Sequence, residues 1–345
     1  MSASHPFTTR LIAWQKAHGR HDLPWQQSRD AYRVWLSEIM LQQTQVTTVI
    51  PYYQRFLARF PDVATLAAAP QEAVIALWAG LGYYARARNL HRCAQVVLAQ
   101  YGGVFPQHPA QLADLPGIGR STAAAIAAFA YGRRAAILDG NVKRVLCRQF
   151  GIEGFPGSAA VDRKLWELAE TLLPATDIEA YTQGLMDLGA TCCTRSKPAC
   201  ARCPLTADCV ARRDGRQGEL PTPKPRATIP ERSANFVFFL AGDQVLLERR
   251  PASGLWGGLL VAPEGEVVDL AAQRGLAPGE ITLLPAFQHV FTHFRLNITA
   301  QYCRVKAPAQ VNEGHREWLP LAKAADAGVP TPMARLLRTI LADSR

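Results

Sequence analysis

The chain has 345 residues, a formal net charge of +10 and a hydrophobic content of 48%. This length suits two domains, the apolar content excludes a largely disordered chain, and the basic balance favours a polyanionic partner, nucleic acid before an anionic membrane. No apolar run reaches the ~18 residues of a membrane span and the first residues lack a signal-peptide pattern, so the sequence predicts a cytoplasmic protein with reduced thiols and no membrane partner.

Apolar spacing predicts the first helices over 6–20 and over 31–60, and the second stretch should form two helices that meet at Pro51. Glu38 lies among apolar neighbours in that second stretch. Two interpretations stay open for it. The carboxylate is either exposed on a polar face, or held in a pocket where a raised pKa suits a general acid near neutral pH.

Two further stretches carry side chains suited to DNA contacts. The first is a polar cluster of Gln42, Gln43 and Thr44, which forms either a solvated face or a set of groups for base edges. The second is the Gly-rich stretch 80–90, which contains Tyr83, Arg86 and Arg88. Rings stack on bases and Arg contacts phosphates, but the same residues also suit a core Tyr beside a solvated Arg pair.

The stretch 115–144 combines a turn, a helix and a polar group. Pro116, Gly117 and Gly119 predict a turn, and the Ala-rich run 121–130 predicts the helix behind it. Such a corner binds anions, a phosphate in a basic protein, although Gly-rich turns are also common without a ligand. Further on, Asp139 follows an apolar run and is accompanied by Gly140, Asn141 and Lys143.

Helices are also predicted over 142–150, 160–173 and 181–188, so the sequence up to this point is all-α. A cysteine run follows, in which Cys193, Cys200, Cys203 and Cys209 are separated by six, two and five residues. Irregular spacing without His favours a [4Fe–4S] cluster over zinc. Cys192 is an extra thiol, and spacing alone also allows a run that begins there.

Composition changes again after the cysteines. Residues 211–232 are rich in Arg and Pro, which predicts an extended basic linker. Strand-like runs then lie at 235–240, 244–250, 281–285, 286–292 and 296–305, with helices over 268–274 and 333–342. The C-terminal part is therefore predicted to be an α+β domain.

These motifs together resemble the MutY-type adenine DNA glycosylases of the endonuclease III, or helix-hairpin-helix, superfamily. The resemblance runs along the whole chain and implies a multidomain protein. It comprises an all-α helix-hairpin-helix glycosylase domain over 1–210, with the hairpin at about 110–130 and a [4Fe–4S] loop at 193–209. The basic linker 211–232 follows, and then a Nudix-like 8-oxoguanine recognition domain over 233–345. The resemblance selects Cys193, Cys200, Cys203 and Cys209 as the cluster ligands.

The resemblance also implies roles in catalysis and in DNA contact. Glu38 corresponds to the family's catalytic acid and base, and Asp139 to the carboxylate that stabilises an oxocarbenium-like ion. Ser121 and Asn141 should line the sugar pocket, and Ser121 replaces the Lys that bifunctional members use as a Schiff base, so the sequence predicts a monofunctional enzyme. The expected DNA contacts are Gln42, Gln43, Thr44, Tyr83, Arg86, Arg88, Gly117, Gly119 and Lys143.

In the C-terminal domain, Phe291, Thr292 and His293 match the family loop that contacts 8-oxoguanine, with Thr292 at the usual Ser position. The Glu-rich helix of a Nudix hydrolase is missing after Gly254–Gly258, so nucleotide hydrolysis is not expected. The sequence thus predicts a nucleoid-associated monomer of bacterial type that removes adenine opposite 8-oxoguanine or G. The alternatives are an endonuclease III-like glycosylase for thymine or oxidised pyrimidines and a non-catalytic iron–sulfur DNA-binding protein.

Overall fold

The computed structural model describes residues 5–225, 229–251, 254–291, 293–306 and 315–344. The described residues form two compact units, one within 1–68 and 89–226 and the other within 69–88 and 227–345. Because the stretch 69–88 groups with the second unit, the domain boundaries drawn from the sequence stay a prediction. Among the described helices, none is long and apolar enough to cross a bilayer.

Helices make up the regular structure of the chain up to residue 225. Their bounds are α1 Pro6–His18, α2 Ala31–Leu41, α3 Val46–Arg59, α4 Val63–Ala68, α5 Gln71–Trp78, α6 Ala85–Tyr101, α7 Pro109–Ala113, α8 Arg120–Tyr131, α9 Gly140–Phe150, α10 Ala159–Thr171, α11 Ile178–Asp187 and α12 Val210–Arg213. Short 3-10 turns lie at Pro24–Gln26, Cys200–Arg202 and Thr206–Asp208, and a π-helical turn follows α11 at Leu188–Cys192. The all-α prediction for this part is confirmed.

Small side chains allow helices α2 and α8 to pack closely. Residues 123–128 of α8 are all buried, and five of these six are Ala. Small residues let two helices approach closely, and α8 packs against α2. Gly132, with a φ of 62°, ends α8 in the left-handed region. The helix that carries Glu38 is therefore held against the helix that begins behind the Gly-rich hairpin.

The prediction that two helices meet at Pro51 was wrong. The break comes earlier, because α2 ends at Leu41 and Gln43 takes a left-handed conformation with a φ of 57°. Pro51 lies inside α3 and is exposed. Water can therefore satisfy the Thr47 carbonyl that would otherwise accept the missing N–H. The break places the polar cluster 42–45 in a connection between helices rather than on a helix face.

The second unit contains a mixed sheet with helices on both faces. Its elements are β1 Glu231–Ala241, β2 Gln244–Arg249, β3 Leu260–Val261, α13 Val267–Gln273, β4 Pro278–Val290, β5 Arg295–Val305, β6 Arg316–Pro320, α14 Leu321–Ala324 and α15 Thr331–Asp343. The sheet order is β3-β2-β1-β5-β4, with β6 also paired to β2. The β1–β5 pair is parallel and the other pairs are antiparallel.

Burial of both sheet faces explains the continuous apolar run of β1. Phe236 and Phe238 point into a core shared with Leu337 of α15, whereas Val237 and Phe239 pack with Leu270 of α13. The two runs predicted at 281–285 and 286–292 form one strand, β4, with irregular register. Strand β6 was missed because its charged residues at 316–317 break the apolar pattern. The α+β prediction is confirmed.

Candidate active site

Two adjoining cavities of the first unit meet at Glu38 on α2. The larger, about 1060 Å³, is also lined by Ser121, Asp139 and Asn141. The smaller, about 620 Å³, is lined instead by groups that include Trp25 and Gln183. Side chains that lie far apart in the sequence are therefore brought together around one carboxyl group.

The Glu38 carboxyl is held in a form suited to giving up a proton. Part of the side chain faces the cavities, yet the carboxyl lies deep enough that burial raises its pKa from 4.5 to about 8. The nearby charge of Asp139 is the smaller of the two causes of this rise. Of the two interpretations left open by the sequence, the structure supports the pocketed, protonated one. At neutral pH, Glu38 is mostly a neutral acid.

Asp139 is the N-cap of α9 and has a different environment. Its Oδ1 accepts the Val142 backbone N–H at 2.8 Å, and the Asn141 side-chain amide lies 3.5 Å from Oδ2. Burial raises the pKa of Asp139, while these hydrogen bonds and the charge of Arg144 act in the opposite direction. Such donors favour the ionised form, which is the form that can stabilise a developing cation. Of the two carboxyl groups in this cavity, Asp139 thus has nearby donors that stabilise its charged form. The charged form of Glu38 is instead destabilised by burial and by the Asp139 charge.

The hairpin and the Asp139 segment are joined by Ser121. The Leu138 backbone N–H donates to Ser121 Oγ at 2.9 Å, immediately before Asp139. In the hairpin, Gly117 has a φ of 79°, and a Cβ there would lie 2.8 Å from Asn89 Cβ. A Cβ at Gly119 would meet nothing within 4 Å, so that side of the hairpin is open to an approaching group. Among the residues that line the two cavities, none is Lys.

The predicted DNA-contact residues fall into two groups. Gln42, Gln43 and Thr44 line the larger cavity, and Gln42 donates to Thr122 Oγ1 at 3.4 Å. Lys143 of the same unit is held by Asp162. The others, Tyr83, Arg86 and Arg88, belong to the second unit and are not among the residues that line the two cavities.

The stretch that holds Tyr83 is fixed by its own arginines. Tyr83 is half-exposed and has a φ of 50°, a rare conformation for a residue with a side chain. The Arg86 guanidinium donates to the carbonyls of Leu81 and Gly82 and lies 5.4 Å from the centre of the Tyr83 ring. Burial lowers the pKa of Arg86 to about 10. Arg86 is thus turned towards the loop, where it holds the strained Tyr83 in an exposed position.

The sequence did not reveal a polar array beside Glu38. Asp187 is fully buried and accepts from the Arg20 backbone N–H at 2.8 Å, from Arg20 Nε at 2.7 Å and from Gln183 Nε2 at 2.8 Å. Arg20 and Gln183 both line the smaller cavity. An ionised carboxylate only accepts hydrogen bonds, so the Gln183 group that faces it must be the NH₂. The signal available in the sequence was Asp187 itself, an acidic residue between the apolar Met186 and Leu188 in the predicted helix 181–188.

A second array links Asp139 to the cysteine loop through α9. Arg144 donates to Asn141 Oδ1 at 2.8 Å, to the Gly189 carbonyl at 2.7 Å and to the Cys193 carbonyl at 2.8 Å. A Cβ at Gly189 would lie 2.6 Å from Asn141 Cβ, so only Gly permits this close approach. The next turn of α9 contributes Arg148, whose Nη1 lies 3.5 Å from Cys193 Sγ. The cysteine loop is therefore fixed to the helix that Asp139 caps.

Five thiols line one cavity of the first unit: Cys192, Cys193, Cys200, Cys203 and Cys209. Within the described residues, no group of three or more His, Cys, Asp or Glu is arranged to hold a single metal ion. A [4Fe–4S] cube spreads four thiolates over four irons, so its ligands need not converge on one point. The donor set of thiols alone, with Arg148 at one sulfur, fits such a cluster. A cluster would cross-link this loop.

The tip of the β4–β5 hairpin in the second unit presents aromatic groups. Phe291 stacks on Phe294, with ring centres 4.5 Å apart, and packs edge-on against His289 at 4.6 Å. The guanidinium of Arg232 lies 4.8 Å from the Phe294 ring centre. His293 is exposed, and Thr292 lies outside the described residues. The Phe294 ring is buried and Phe291 packs against the same core, so within the described residues of this tip the exposed His293 ring is the group suited to stack on a base.

Comparison with known proteins agrees with this architecture. Residues 36–171 match the model of the HhH-GPD superfamily base excision DNA repair proteins, and residues 235–339 match the NUDIX domain. An adenine DNA glycosylase of Buchnera aphidicola subsp. Acyrthosiphon pisum is 34% identical over 96% of this chain and 96% of its own length. The Mus musculus adenine DNA glycosylase is 33% identical over 96% of this chain and 77% of its own length.

A solved thermostable thymine-DNA glycosylase superposes with a TM-score of 0.55 and 32% identity, and the match covers 60% of this chain and 95% of that chain. The relatives whose matches extend over nearly the whole chain, Nudix-like part included, are adenine DNA glycosylases. The chain therefore belongs to the adenine DNA glycosylases, enzymes of base excision DNA repair.

Proposed function

We propose that this enzyme is monofunctional and hydrolyses the N-glycosidic bond of adenine paired with 8-oxoguanine or G in duplex DNA. The observation that carries the proposal is the buried carboxyl of Glu38, with its raised pKa, at the junction of the two cavities, one of which also holds Asp139. A neutral acid and a carboxylate within one cavity are what an acid-assisted cleavage through a cationic sugar requires.

The proposed reaction begins when the target adenosine leaves the base stack. Adenine enters the smaller cavity and the sugar lies in the larger one. Glu38 donates its proton to N7 as the bond from C1′ to N9 breaks, so neutral adenine leaves. The Asp139 carboxylate stabilises the resulting oxocarbenium-like ion. Water then adds at C1′, and its proton passes to the ionised Glu38, which restores the acid.

The monofunctional assignment rests on the residues around the cavities. Strand cleavage by β-elimination needs an amine that forms a Schiff base at C1′. Ser121 stands at the position of that amine in bifunctional relatives, and its hydroxyl is occupied by the Leu138 N–H. With no Lys among the lining residues, hydrolysis is the remaining route, and the product is an intact strand with an abasic site.

We assign adenine recognition to Gln183. Because Asp187 fixes the NH₂ of this amide, its Oε1 is left to accept a hydrogen bond. Adenine presents an exocyclic amino group as donor, whereas hypoxanthine and guanine present a carbonyl at the same position. An amide held in this orientation therefore favours adenine over 6-oxo purines.

Asp187→Asn tests this assignment. The new amide can donate to Gln183, which allows Gln183 to turn and offer its NH₂ to the base. We expect single-turnover adenine excision to fall by about 10- to 100-fold, since one mismatched polar contact costs about 1–3 kcal/mol. Hypoxanthine excision should fall less. The measurement is the ratio of the two rates, which does not depend on the folded fraction.

The control for Asp187→Asn is Asp22→Asn, because Asp22 lies exposed in the same loop as Arg20 and outside both cavities. It should leave both rates unchanged. An unchanged ratio of adenine to hypoxanthine excision in Asp187→Asn would show that Asp187 does not set the orientation of the amide.

We propose that the Nudix-like unit reads 8-oxoguanine through Phe291, Thr292 and His293. The support is the exposed ring of His293 at the β4–β5 tip, whose centre lies 5.0 Å from that of the buried Phe294 ring. We further propose that one [4Fe–4S] cluster with a structural role is held by Cys193, Cys200, Cys203 and Cys209. The duplex is contacted by Gln42, Gln43, Thr44, Tyr83, Arg88, Gly117, Gly119 and Lys143. Arg86 supports Tyr83. The proposed working form is a cytoplasmic monomer at the nucleoid.

The deciding experiment is single-turnover cleavage of duplexes that contain adenine opposite 8-oxoguanine, adenine opposite G, or thymine glycol, each with and without alkali. We expect strand nicking at adenine that appears only after alkali and is fastest opposite 8-oxoguanine. Sodium borohydride should trap no stoichiometric covalent adduct. Nicking without alkali would refute monofunctional hydrolysis, and equal rates opposite 8-oxoguanine and G would refute the role of the Nudix-like unit.

A further inference from the structure

One cation beside the Gly-rich hairpin has no part in the proposed function. Arg120 is the first residue of α8 and directly follows Gly119, the open position of the hairpin. Its side chain lines neither of the two cavities of the site. It lies instead against α10, where its guanidinium is 3.8 Å from the centre of the Trp166 ring and forms an ion pair with Glu170. Arg120 is therefore a positioned charge at the same end of α8 as the hairpin.

The two partners of Arg120 hold it with unequal firmness. Trp166 and Glu170 are four residues apart on α10, so the ring and the carboxylate share one face of that helix. Trp166 is partly buried against the core of the unit, and a guanidinium stacks well on such a fixed ring. The Arg120 and Glu170 side chains are 57% and 54% exposed, and water and salt compete with an ion pair of this kind. The carboxylate is therefore the replaceable partner.

Helix α10 holds a second cation in a similar way. Lys143 of α9, one of the proposed duplex contacts, lies 2.5 Å from Asp162 Oδ1 and 3.3 Å from the Pro156 carbonyl. Asp162 comes two turns before Glu170 on α10. One helix thus supplies a carboxylate to a cation of α8 and another to a cation of α9, in a chain whose net charge is +10. Both cations already have an anionic partner when no DNA is bound.

We propose that Arg120 binds a phosphate of the DNA backbone and that Glu170 occupies this arginine, as an internal substitute for the phosphate, until the duplex arrives. The inference rests on the contact between the hairpin and the duplex proposed above. On binding, the ion pair between Arg120 and Glu170 breaks and the phosphate takes the place of the carboxylate. The Trp166 ring keeps the guanidinium in position during the exchange.

The position of Arg120 explains why a phosphate can reach it. Phosphates follow one another along a DNA strand every 3.4 Å of helix axis, so a strand held at Gly119 brings a neighbouring phosphate close to the next residue of the chain. Phosphate and carboxylate both accept two parallel N–H bonds from a guanidinium. The exchange therefore keeps Arg120 paired, but it leaves the charge of Glu170 beside the strand. That repulsion lowers the affinity for undamaged DNA, from which the enzyme must dissociate as it searches.

The first test measures equilibrium binding of full-length variants to a fluorescently labelled duplex without a mispair, over a series of KCl concentrations. We expect Glu170→Gln to bind about two- to five-fold more tightly than wild type at low salt, the range that corresponds to one exposed ion pair. Glu167→Gln is the matched control, because it removes the same charge from an exposed residue one turn away on α10. Its affinity should stay close to that of wild type.

The second test asks whether the effect of Glu170 passes through Arg120. Arg120→Gln should weaken binding and make the slope of log K against log salt shallower by about 0.9, the value for one phosphate contact. In the Arg120→Gln background, Glu170→Gln should no longer tighten binding, because the cation that it releases is gone. The proposal is overturned if Glu170→Gln tightens binding no more than Glu167→Gln, if the tightening persists without Arg120, or if Arg120→Gln leaves the salt dependence unchanged.

Gly119→Asp separates this inference from the hairpin contact on which it rests. Gly119 is the N-cap of α8 in an extended conformation, and a Cβ there would meet nothing within 4 Å, so Asp fits and caps the helix. Its charge should repel a phosphate at the hairpin and weaken duplex binding. If Gly119→Asp binds as wild type does, the hairpin contact itself is refuted. If it weakens binding while Glu170→Gln behaves like Glu167→Gln, only the role of Arg120 and Glu170 fails.

Discussion

We expect Glu38→Gln to remove adenine excision while duplex binding survives. Gln is nearly isosteric with Glu but cannot protonate the base, and loss of a general acid costs about 10²- to 10⁴-fold in rate. The measurements are single-turnover excision opposite 8-oxoguanine and equilibrium binding of the same duplex. In wild type, excision should decline as the pH rises past about 8, where Glu38 loses its proton.

The same substitution should stabilise the fold. The Glu38 pKa is about 8 in the folded protein against 4.5 for an ordinary Glu, so between these values the unfolded chain ionises while the folded chain stays neutral. Wild type therefore loses stability as the pH rises through this window, and Gln does not. At pH 7 the difference is at most about 3 kcal/mol, at 1.36 kcal/mol per pKa unit. Below pH 4.5 it should vanish.

Glu167→Gln provides the control for both measurements, because Glu167 is exposed on α10 of the same unit. It should change neither excision nor the pH dependence of unfolding. An active Glu38→Gln would remove Glu38 from its proposed role, and a stability difference that does not vary with pH would show that Glu38 is ionised in the folded protein.

Asp139→Asn should also reduce excision severely. Removing a charge that stabilises the oxocarbenium-like ion is expected to cost about 10²- to 10³-fold, as for other electrostatic stabilisers of a transition state. Asn caps helices as well as Asp, so the free energy of unfolding should change by less than about 1 kcal/mol. The residual activity should have its alkaline limit at lower pH, because the Asp139 charge is one cause of the raised Glu38 pKa.

Asp30→Asn is the control for Asp139→Asn, because it changes a helix N-cap that has no role in the proposed chemistry. Asp30 is the N-cap of α2 and accepts the Arg33 N–H at 2.9 Å, much as Asp139 accepts the Val142 N–H at 2.8 Å. Asp30 lines neither cavity, so Asp30→Asn should keep the wild-type rate. If Asp139→Asn were as active as Asp30→Asn, the carboxylate would have no electrostatic role in the reaction.

The cysteine loop is also connected to Asp139 by hydrogen bonds. Arg144 spans from Asn141, which contacts Asp139, to the carbonyl of Cys193. A cluster that cross-links the loop would limit the movement of the Cys193 carbonyl, which accepts a hydrogen bond from Arg144. In this arrangement the proposed cluster would support catalysis by holding the loop in place, without taking part in the bond cleavage.

Local features were predictable because neighbouring residues encode them. The Ala-rich helix α8, the helix predicted over 142–150 and the apolar strand around Phe236 follow from helix propensity and periodicity, and the structure confirms these elements. The cysteine spacing is also visible in the sequence and predicts a [4Fe–4S] cluster. Ser121, which replaces the Schiff-base Lys of bifunctional members, predicts hydrolysis without strand cleavage. The break at Gln43 was not predictable from Pro51, since a Pro is tolerated where its helix is exposed.

By itself, the sequence determined the family, the helical and α+β halves and the identity of the chemical groups: Glu38, Asp139, Ser121 and a set of thiols. The tertiary structure decided whether Glu38 is an exposed anion or a buried acid, because that depends on burial by residues remote in the chain. It also decided that Asp187 fixes the amide of Gln183. Periodicity and capping act between near neighbours, whereas pKa values and amide orientation are set by groups that only folding brings together.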